Sequence, residues 1–572
     1  MKYKEYLSPF TSFLLVIFGI MSSYFGLPFI FTIVVPTIIF SIVFASIAAV
    51  DLLRYMVLYL FAVNVSLLTK NPFIDYTLIA ISVVYFYFIY RKNKFSFASL
   101  QFSIKKVFYL VAIGMLLAFL ILLYLSDMRA FRIFILGDLG YDQVGHFAII
   151  RTLNSCVEML FQCDPQSSLL PRNYMFYPQQ WHVLFSRFIN SDTIESSVQS
   201  FIVVILISVL LSLYLTTNSL RQIFSKLNLQ MPLHSPIWIG DLVVLISGTF
   251  IVILSFMGYP NFVFSISLFL SGISLLIAGE VKQTLLATIV LMLSVASYTL
   301  LLVPSALICL YYASFRLRSF PLKLVIFVFI VFSIISILFI SSLQSHLDYL
   351  YIGGGGLNPY IVIIEIAGLV SVGLSFFRLF RGDYVDKKSY VDLLVFNFII
   401  VASLFALQGL TFFSGKFSSY YLGKFSYFSI FSILITLYIC LDRWTFRWDF
   451  LRNHRTLFYL FLALWFILPR IPFNSPVNTL YQIVRPSNFG ELRKVEAIYR
   501  AAISSKSSLK PAVFLSNETG SDTQIVNALS GFWSAELNDY LENDIDNEVE
   551  LRDPDFQSLH GNTFLFVEFG ND

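Results

Sequence analysis

The sequence predicts an all-α polytopic membrane protein with about 13 to 15 transmembrane helices, and three observations predict it. The 572-residue chain is 58% hydrophobic and only 13% charged, where soluble domains are roughly one-quarter charged. Its mean hydropathy is +0.78. Runs of roughly 20 apolar residues recur along it, each long enough to cross a hydrocarbon core of about 30 Å. Finally, Lys and Arg concentrate in alternate connections between those runs.

In chain order, Lys2 and Lys4 precede an apolar run from Phe10. No small-residue cleavage site interrupts that run, so it reads as a retained signal-anchor. Apolar spans are expected at 8–26, 28–50, 52–69, 73–90 and 107–126, followed by a long polar loop at 127–198. Further spans are expected at 199–217, 236–257, 261–279, 283–301, 303–315, 321–342, 359–377, 389–410, 425–441 and 456–470. Pro304 marks a short loop or a broken helix between two of them.

Orientation follows from the connections. Arg91, Lys92, Lys94, Lys105 and Lys106 share one of them, Arg378, Arg381, Lys387 and Lys388 another. Arg443, Arg447, Arg452 and Arg455 share a third. Span parity puts these clusters on one side with Lys2, Lys4, Arg221, Lys226, Arg316 and Arg318, and the positive-inside rule makes that side cytoplasmic. The expected location is therefore the plasma (inner) membrane, with the N-terminus cytoplasmic. Loops 127–198, 343–358 and 411–424 and the tail lie outside.

Three regions are expected: an N-terminal transmembrane module at 1–106, a transmembrane core at 107–470, and an extracytoplasmic C-terminal α/β domain at 471–572. In that tail, Glu536, Asp539, Glu542, Asp544, Asp546, Glu548 and Glu550 turn the chain acidic. Residues 491–502 read as an amphipathic helix, and 512–515 and 563–567 as buried strands. The acidic run lacks the glycine-containing spacing of a calcium loop and reads as a solvated face. Asn517-Glu518-Thr519 fits a glycosylation acceptor, which matters only in a eukaryotic secretory pathway.

Chemistry concentrates in loop 127–198. It carries Gly137-Asp138-Leu139-Gly140-Tyr141-Asp142-Gln143-Val144-Gly145-His146 and then Tyr177-Pro178-Gln179-Gln180-Trp181-His182. If the chain is helical from Tyr141, Asp142 and His146 are four residues apart and share a face. Such a pair can act as a general base with an orienting imidazole, or as two ligands of a divalent metal. The alternative is that Asp138 caps a helix and Asp142 makes a surface bond. Tyr177 and Trp181 suit a substrate pocket or an aromatic belt at the membrane interface. His182, in the same loop, is less readily explained as belt and could reach the same outer pocket as His146. Cys156 and Cys163 lie in this loop, either as a disulfide or as two free thiols, whereas Cys309 and Cys440 fall in spans.

Arg151, Arg172 and Arg187, and Lys416 and Lys424 across the outer loop 411–424, run against the positive-inside bias. Cations at headgroup depth suit a lipid-linked phosphate, or simply snorkel among phospholipids. Tyr420 and Tyr421 adjoin Lys424. Residues 353–356 are four glycines in an outer loop, a lid or a linker, and carry no phosphate-loop Lys and Ser.

Gly140-Tyr141-Asp142-Gln143-Val144-Gly145-His146-Phe147 with Tyr177-Pro178-Gln179-Gln180-Trp181-His182 resembles the signatures of bacterial GT-C membrane glycosyltransferases. Tyr420-Tyr421-Leu422-Gly423-Lys424 is similar to the tyrosine-rich, lysine-containing outer segment of their arabinofuranosyltransferase branch. The resemblance implies a GT-C-like fold with a large catalytic outer loop. It also implies transfer of a sugar from a polyprenyl-phosphate donor to a glycan, lipid or protein acceptor. Asp142 would be the base, with Asp138 second, and His146 and His182 would orient substrates. Lys424, with Lys416, Arg187, Tyr420 and Tyr421, would hold the donor phosphate. Expected partners are the lipid-linked donor, the acceptor and membrane lipids, with no nucleic acid. The chain departs from the family in two respects: the first outer loop has no Asp-x-Asp or Glu-x-Asp motif, and four spans precede the span that leads into it. A divalent metal, Mg or Mn, is therefore left open as the cofactor. Two other readings remain, a polysaccharide polymerase or ligase and a lipid-linked-glycan transporter. For the transporter, Glu365 is the main intramembrane carboxylate.

Overall fold

The computed structural model describes residues 50–58, 81, 84–85, 194–227, 243, 247–248, 250–251, 254–255, 260–278, 281–317, 323–324, 326–328, 330–331, 359–381, 387–414, 419–441, 512–516 and 565–569. These residues are nearly all helical. The longer helices are α1 (Ile194–Leu227), α2 (Pro260–Ala278), α3 (Val281–Ser297), α4 (Leu302–Phe315), α5 (Pro359–Arg381), α6 (Lys387–Ser414) and α7 (Ser419–Leu441). Among the described residues, three segments are long and apolar enough to cross a membrane: Asn261–Ala278, Ile361–Arg381 and Lys387–Leu410. The chain is thus a membrane-associated helical protein.

Contacts divide the chain into two units. One holds Met1–Leu211, Val252–Pro260 and Pro469–Asp572, and the other Ser212–Ile251 and Asn261–Leu468. In the second unit, α2 is enclosed by its neighbours. Phe262, Phe264 and Phe269 are fully buried, and Phe269 meets Phe428 of α7 edge to face at 4.8 Å. Ser267, Ser271 and Ser274 donate to carbonyls of their own helix, and the serines of α2 also reach outward. Ser267 Oγ lies 3.0 Å from Thr216 Oγ1 of α1, and Ser271 Oγ lies 3.0 Å from Ser219 Oγ. On the other flank Ser265 donates to the Ser294 carbonyl of α3 at 2.7 Å. Small side chains let these backbones approach closely. At Gly272 the approach is closest: a Cβ there would stand 2.6 Å from Leu291 Cγ.

α3 and α4 form an antiparallel hairpin. Thr288 lies against the Cys309 thiol and Thr284 against the Tyr312 hydroxyl, so early residues of one helix meet late residues of the other. The chain turns through Tyr298 and a 3₁₀ turn at Thr299–Leu301. Pro304 then sits in the first turn of α4, where its missing N–H costs no helical bond. The break expected near Pro304 is present, displaced to 298–301.

α5, α6 and α7 pack on one another. Along the α5–α6 seam, Tyr390 donates to the Ser375 carbonyl at 3.0 Å near one end. Midway, Asn397 donates to Ser371 Oγ at 3.1 Å and accepts from Ser432 of α7 at 2.6 Å, tying three helices at one node. Gly368 fits against Val401, where a Cβ would meet both Val401 methyls at 3.1 Å. The opposite face of α5 exposes Ile363, Ile366, Leu369, Val370 and Phe377, as suits contact with lipid chains. At the end where Arg378 and Arg381 close α5, α4 is fastened to α6. Arg316 Nε donates to Asp392 Oδ1 at 2.6 Å, and Tyr311 donates to the same oxygen at 2.8 Å.

In the first unit, β1 (Ala512–Ser516) and β2 (Leu565–Phe569) pair in parallel, with Ala512 opposite Leu565 and Ser516 opposite Phe569. A parallel pair needs a crossover of a dozen or more residues, and residues 517–564 supply it. The first strand starts where the sequence places it, and the second is shifted two residues toward the C-terminus. The helix expected at 491–502 and the spans at 8–26, 28–50, 107–126 and 456–470 lie outside the described residues, apart from Val50 at the end of one span.

Candidate functional site

Of the residues that the sequence nominates, Asp138, Asp142, His146, Tyr177, Trp181, His182, Arg187 and Lys416 lie outside the described residues. Tyr420, Tyr421 and Lys424 are on α7, which begins at Ser419. The sequence assigns 411–424 to an outer loop, but the structure carries α6 on to Ser414 and resumes helix at Ser419. Only residues 415–418 separate the two helices. A serine preceding an apolar-periodic run is a helix-start signal, and Ser418-Ser419 supplies it.

The change matters for Lys424, which is 6% exposed rather than solvated. Its ammonium lies over the Tyr298 ring, 5.5 Å from the centroid. Tyr298 is held at the α3–α4 turn, its ring 5.1 Å from Phe262 of α2. A lysine at the centre of a span costs about 2.5–3.5 kcal/mol, and less toward the ends. A desolvated cation–π contact returns about 2 kcal/mol. The site therefore holds a cation at moderate cost five residues into α7, about 7.5 Å from the start of the helix. Next to it in sequence, a Cβ on Gly423 would meet nothing within 4 Å apart from its chain neighbours and its own helix backbone.

A second polar pair lies in the same helix group. Glu365 of α5 is 5% exposed. The Gln408 side-chain amide of α6, oriented with its nitrogen toward the carboxylate, donates to both oxygens, 2.9 Å to Oε2 and closer to Oε1. Glu365 is on the same helix face as Gly368, Ser371 and Ser375, the face that α6 covers. Next to Gln408, a Cβ on Gly409 would meet nothing within 4 Å apart from its chain neighbours and its own helix backbone.

Compared with protein-family models, with curated proteins and with solved structures, the chain matches none. What the site can do therefore rests on its chemistry. Lys424 offers a fixed positive charge to an anion, and Glu365 with Gln408 offers acceptors and a donor to hydroxyl or amide groups. Among the described residues no group of three or more His, Cys, Asp or Glu is arranged to hold a metal ion.

Sequence reading singled out Lys424 and Glu365 but not Tyr298 or Gln408. Both missed residues come from distant segments, and nothing local marks a tyrosine at a helix end or a glutamine late in a span as a partner.

Proposed function

We propose that the chain is a membrane glycosyltransferase that moves a sugar from a polyprenyl-phosphate donor to a cell-envelope glycan, lipid or protein acceptor at the outer membrane face. The observation that carries the reading is Lys424, buried over Tyr298 near the start of α7 in the segment that resembles a donor-binding one. The motifs around Asp142 and His182 supply the chemistry. Asp142 takes the proton of the acceptor hydroxyl, and that oxygen attacks the anomeric carbon. The bond from the anomeric carbon to the phosphate oxygen breaks, and polyprenyl phosphate leaves with its charge met by Lys424. Asp138 stands in reserve as base, His146 and His182 orient the substrates, and Tyr177 and Trp181 line the sugar pocket. Arg187, Lys416, Tyr420 and Tyr421 complete the phosphate contacts. A Mg or Mn ion, where transfer requires one, would take Asp142 and His146 as two of its ligands.

The test is transfer by the purified full chain in proteoliposomes, with radiolabelled polyprenyl-phosphate sugars and extracted envelope glycan as acceptor. Asp142→Asn and Lys424→Met each lower turnover by about 10²-fold or more while the protein remains folded. Full transfer by Asp142→Asn removes Asp142 from the mechanism, and loss of transfer on EDTA treatment with rescue by Mg or Mn assigns the metal.

Transport of a lipid-linked glycan is the second reading, favoured by a buried carboxylate in a spanning helix. Against a continuous polar path, Gly368 and Val401 close the α5–α6 seam with apolar atoms directly below Glu365.

A further inference from the structure

Glu365 is a carboxylate buried in a membrane helix, and its described hydrogen bonds come from a neutral amide. Among the described residues the other buried acid, Asp392, is held by an ion pair, against Arg316 and Tyr311. Glu365 has no such cation among its described contacts. Its acceptor lone pairs exceed what one amide nitrogen fills, which leaves capacity for further donors.

Its position adds the second argument. The Ser371–Asn397–Ser432 node fixes a common level on α5, α6 and α7. Glu365 is six residues from Ser371, Lys424 eight from Ser432, and Gln408 eleven from Asn397. At ~1.5 Å per residue they stand about 9, 12 and 16 Å beyond the node along their own helices. All three lie toward the same end. Glu365 meets Gln408 directly, and Lys424 meets Tyr298 at the α3–α4 turn, opposite the end where α4 is fastened to α6. One tier, about one and a half turns deep, therefore holds a cation, a carboxylate and an amide. Next in sequence to two of them, Gly409 and Gly423 would take a Cβ without contact beyond their own chain neighbours and helix backbone.

We propose that Glu365 and Gln408 form a subsite that recognises hydroxyl groups of the sugar on a lipid-linked donor whose phosphate is held at Lys424. This rests on the glycosyltransferase reading and deepens it. A carboxylate accepts from two neighbouring hydroxyls, and an amide both donates and accepts, so together they read the pattern of hydroxyls on a pyranose or furanose. A bare prenyl phosphate has none to offer.

The experiment measures binding of undecaprenyl phosphate, and of undecaprenyl phosphate carrying glucose, mannose or arabinose, to the full chain in lipid nanodiscs. Wild-type protein is expected to bind at least one sugar lipid roughly tenfold tighter than undecaprenyl phosphate itself. Glu365→Gln and Gln408→Leu erase that margin and leave binding of undecaprenyl phosphate within about twofold. Lys424→Met weakens binding of all four lipids. Wild-type binding that does not distinguish sugar lipids from undecaprenyl phosphate overturns the subsite and leaves the donor reading standing. So does a margin that survives in Glu365→Gln, or an equal loss for every lipid in that variant. Failure of the wild type to bind any of the four overturns the donor reading and the subsite with it.

Discussion

α2 and α5 are both apolar spans of ordinary length, yet their surroundings differ. Of Asn261–Ala278, 94% is buried inside the protein, against 33% of an 18-residue stretch of Ile361–Arg381. α2 is hydrophobic all round and enclosed all round, and its polar side chains after Asn261 are all serines. A serine can donate to its own helix, as Ser267 does to Val263 O at 2.9 Å and Ser271 to Ser267 O at 2.7 Å. Contacts to other helices then come at little cost. Glu365 of α5 has no such local option and draws its donor from α6. Hydroxyls therefore glue the enclosed region, whereas carboxylates and amides fix particular pairings in the region that faces lipid. α2 is thus held by close packing and serine hydroxyls, whereas the Glu365–Gln408 pair ties two helices that each expose apolar side chains.

The contrast is most easily broken at Asp392, the most heavily bonded acid of the lipid-facing group. Asp392→Ala strips Arg316 and Tyr311 of their shared acceptor in a site where the Asp392 side chain is 3% exposed. Removing one partner of a buried pair costs about 3–5 kcal/mol. Because Arg316 is 20% exposed and can turn toward headgroups, the loss should fall at the low end. Reversible unfolding in mixed micelles measures it. A loss below that of a single serine would show that charge does not organise this region.

Packing is the corresponding test of the enclosed region. Gly272→Val places a branched side chain where a Cβ already meets Leu291 Cγ at 2.6 Å, and should cost about 1–3 kcal/mol. Gly373 on α5 is the counterpart: a Cβ there meets no described atom within 4 Å, and Gly373→Val should leave the midpoint of unfolding nearly unchanged. Equal losses at both glycines would mean that α5 is enclosed too.

Much of this arrangement is legible in the sequence, and what is not has a physical reason. The span expected at 261–279 is found at Pro260–Ala278, and those expected at 303–315 and 359–377 start within a residue of theirs. Apolar runs bounded by Pro, Gly or charge report their own limits. The start of α7 was missed because Tyr420, Tyr421 and Lys424 are polar at the tip, while the structure buries Lys424 by borrowing Tyr298 from another hairpin. Glu365 was visible as an intramembrane acid, but its partner Gln408 was not. A pairing between residues 43 positions apart leaves no trace in either local pattern. The catalytic half of the proposed site, Asp142 with His146 and His182, rests on its motifs alone.

Between the two extremes stands the node at Asn397. Asn397→Leu removes a bond to Ser371 and another from Ser432 and keeps the volume apolar. Interhelical hydrogen bonds in membranes average about 0.6 kcal/mol and reach about 1.7. Loss of both should therefore come to about 1 kcal/mol, less than at Asp392, because both serine hydroxyls can fall back on their own helix.

The smallest effect should be the one that holds the most thoroughly buried helix. Ser219 and Ser271 touch at 3.0 Å across α1 and α2, and each also donates to its own helix, Ser219 to Leu215 O at 2.7 Å and Ser271 to Ser267 O at 2.7 Å. A hydroxyl has one proton, so when both serines donate along their own helices the contact between them is left without a hydrogen. A double-mutant cycle through Ser219→Ala, Ser271→Ala and the pair should give a coupling of about 0.6 kcal/mol or less. A coupling well above that would mean that one hydroxyl gives up its helical acceptor to bridge the two helices. The enclosed region would then be fixed by specific polar pairing, as α5 and α6 are, and not by close packing of small side chains.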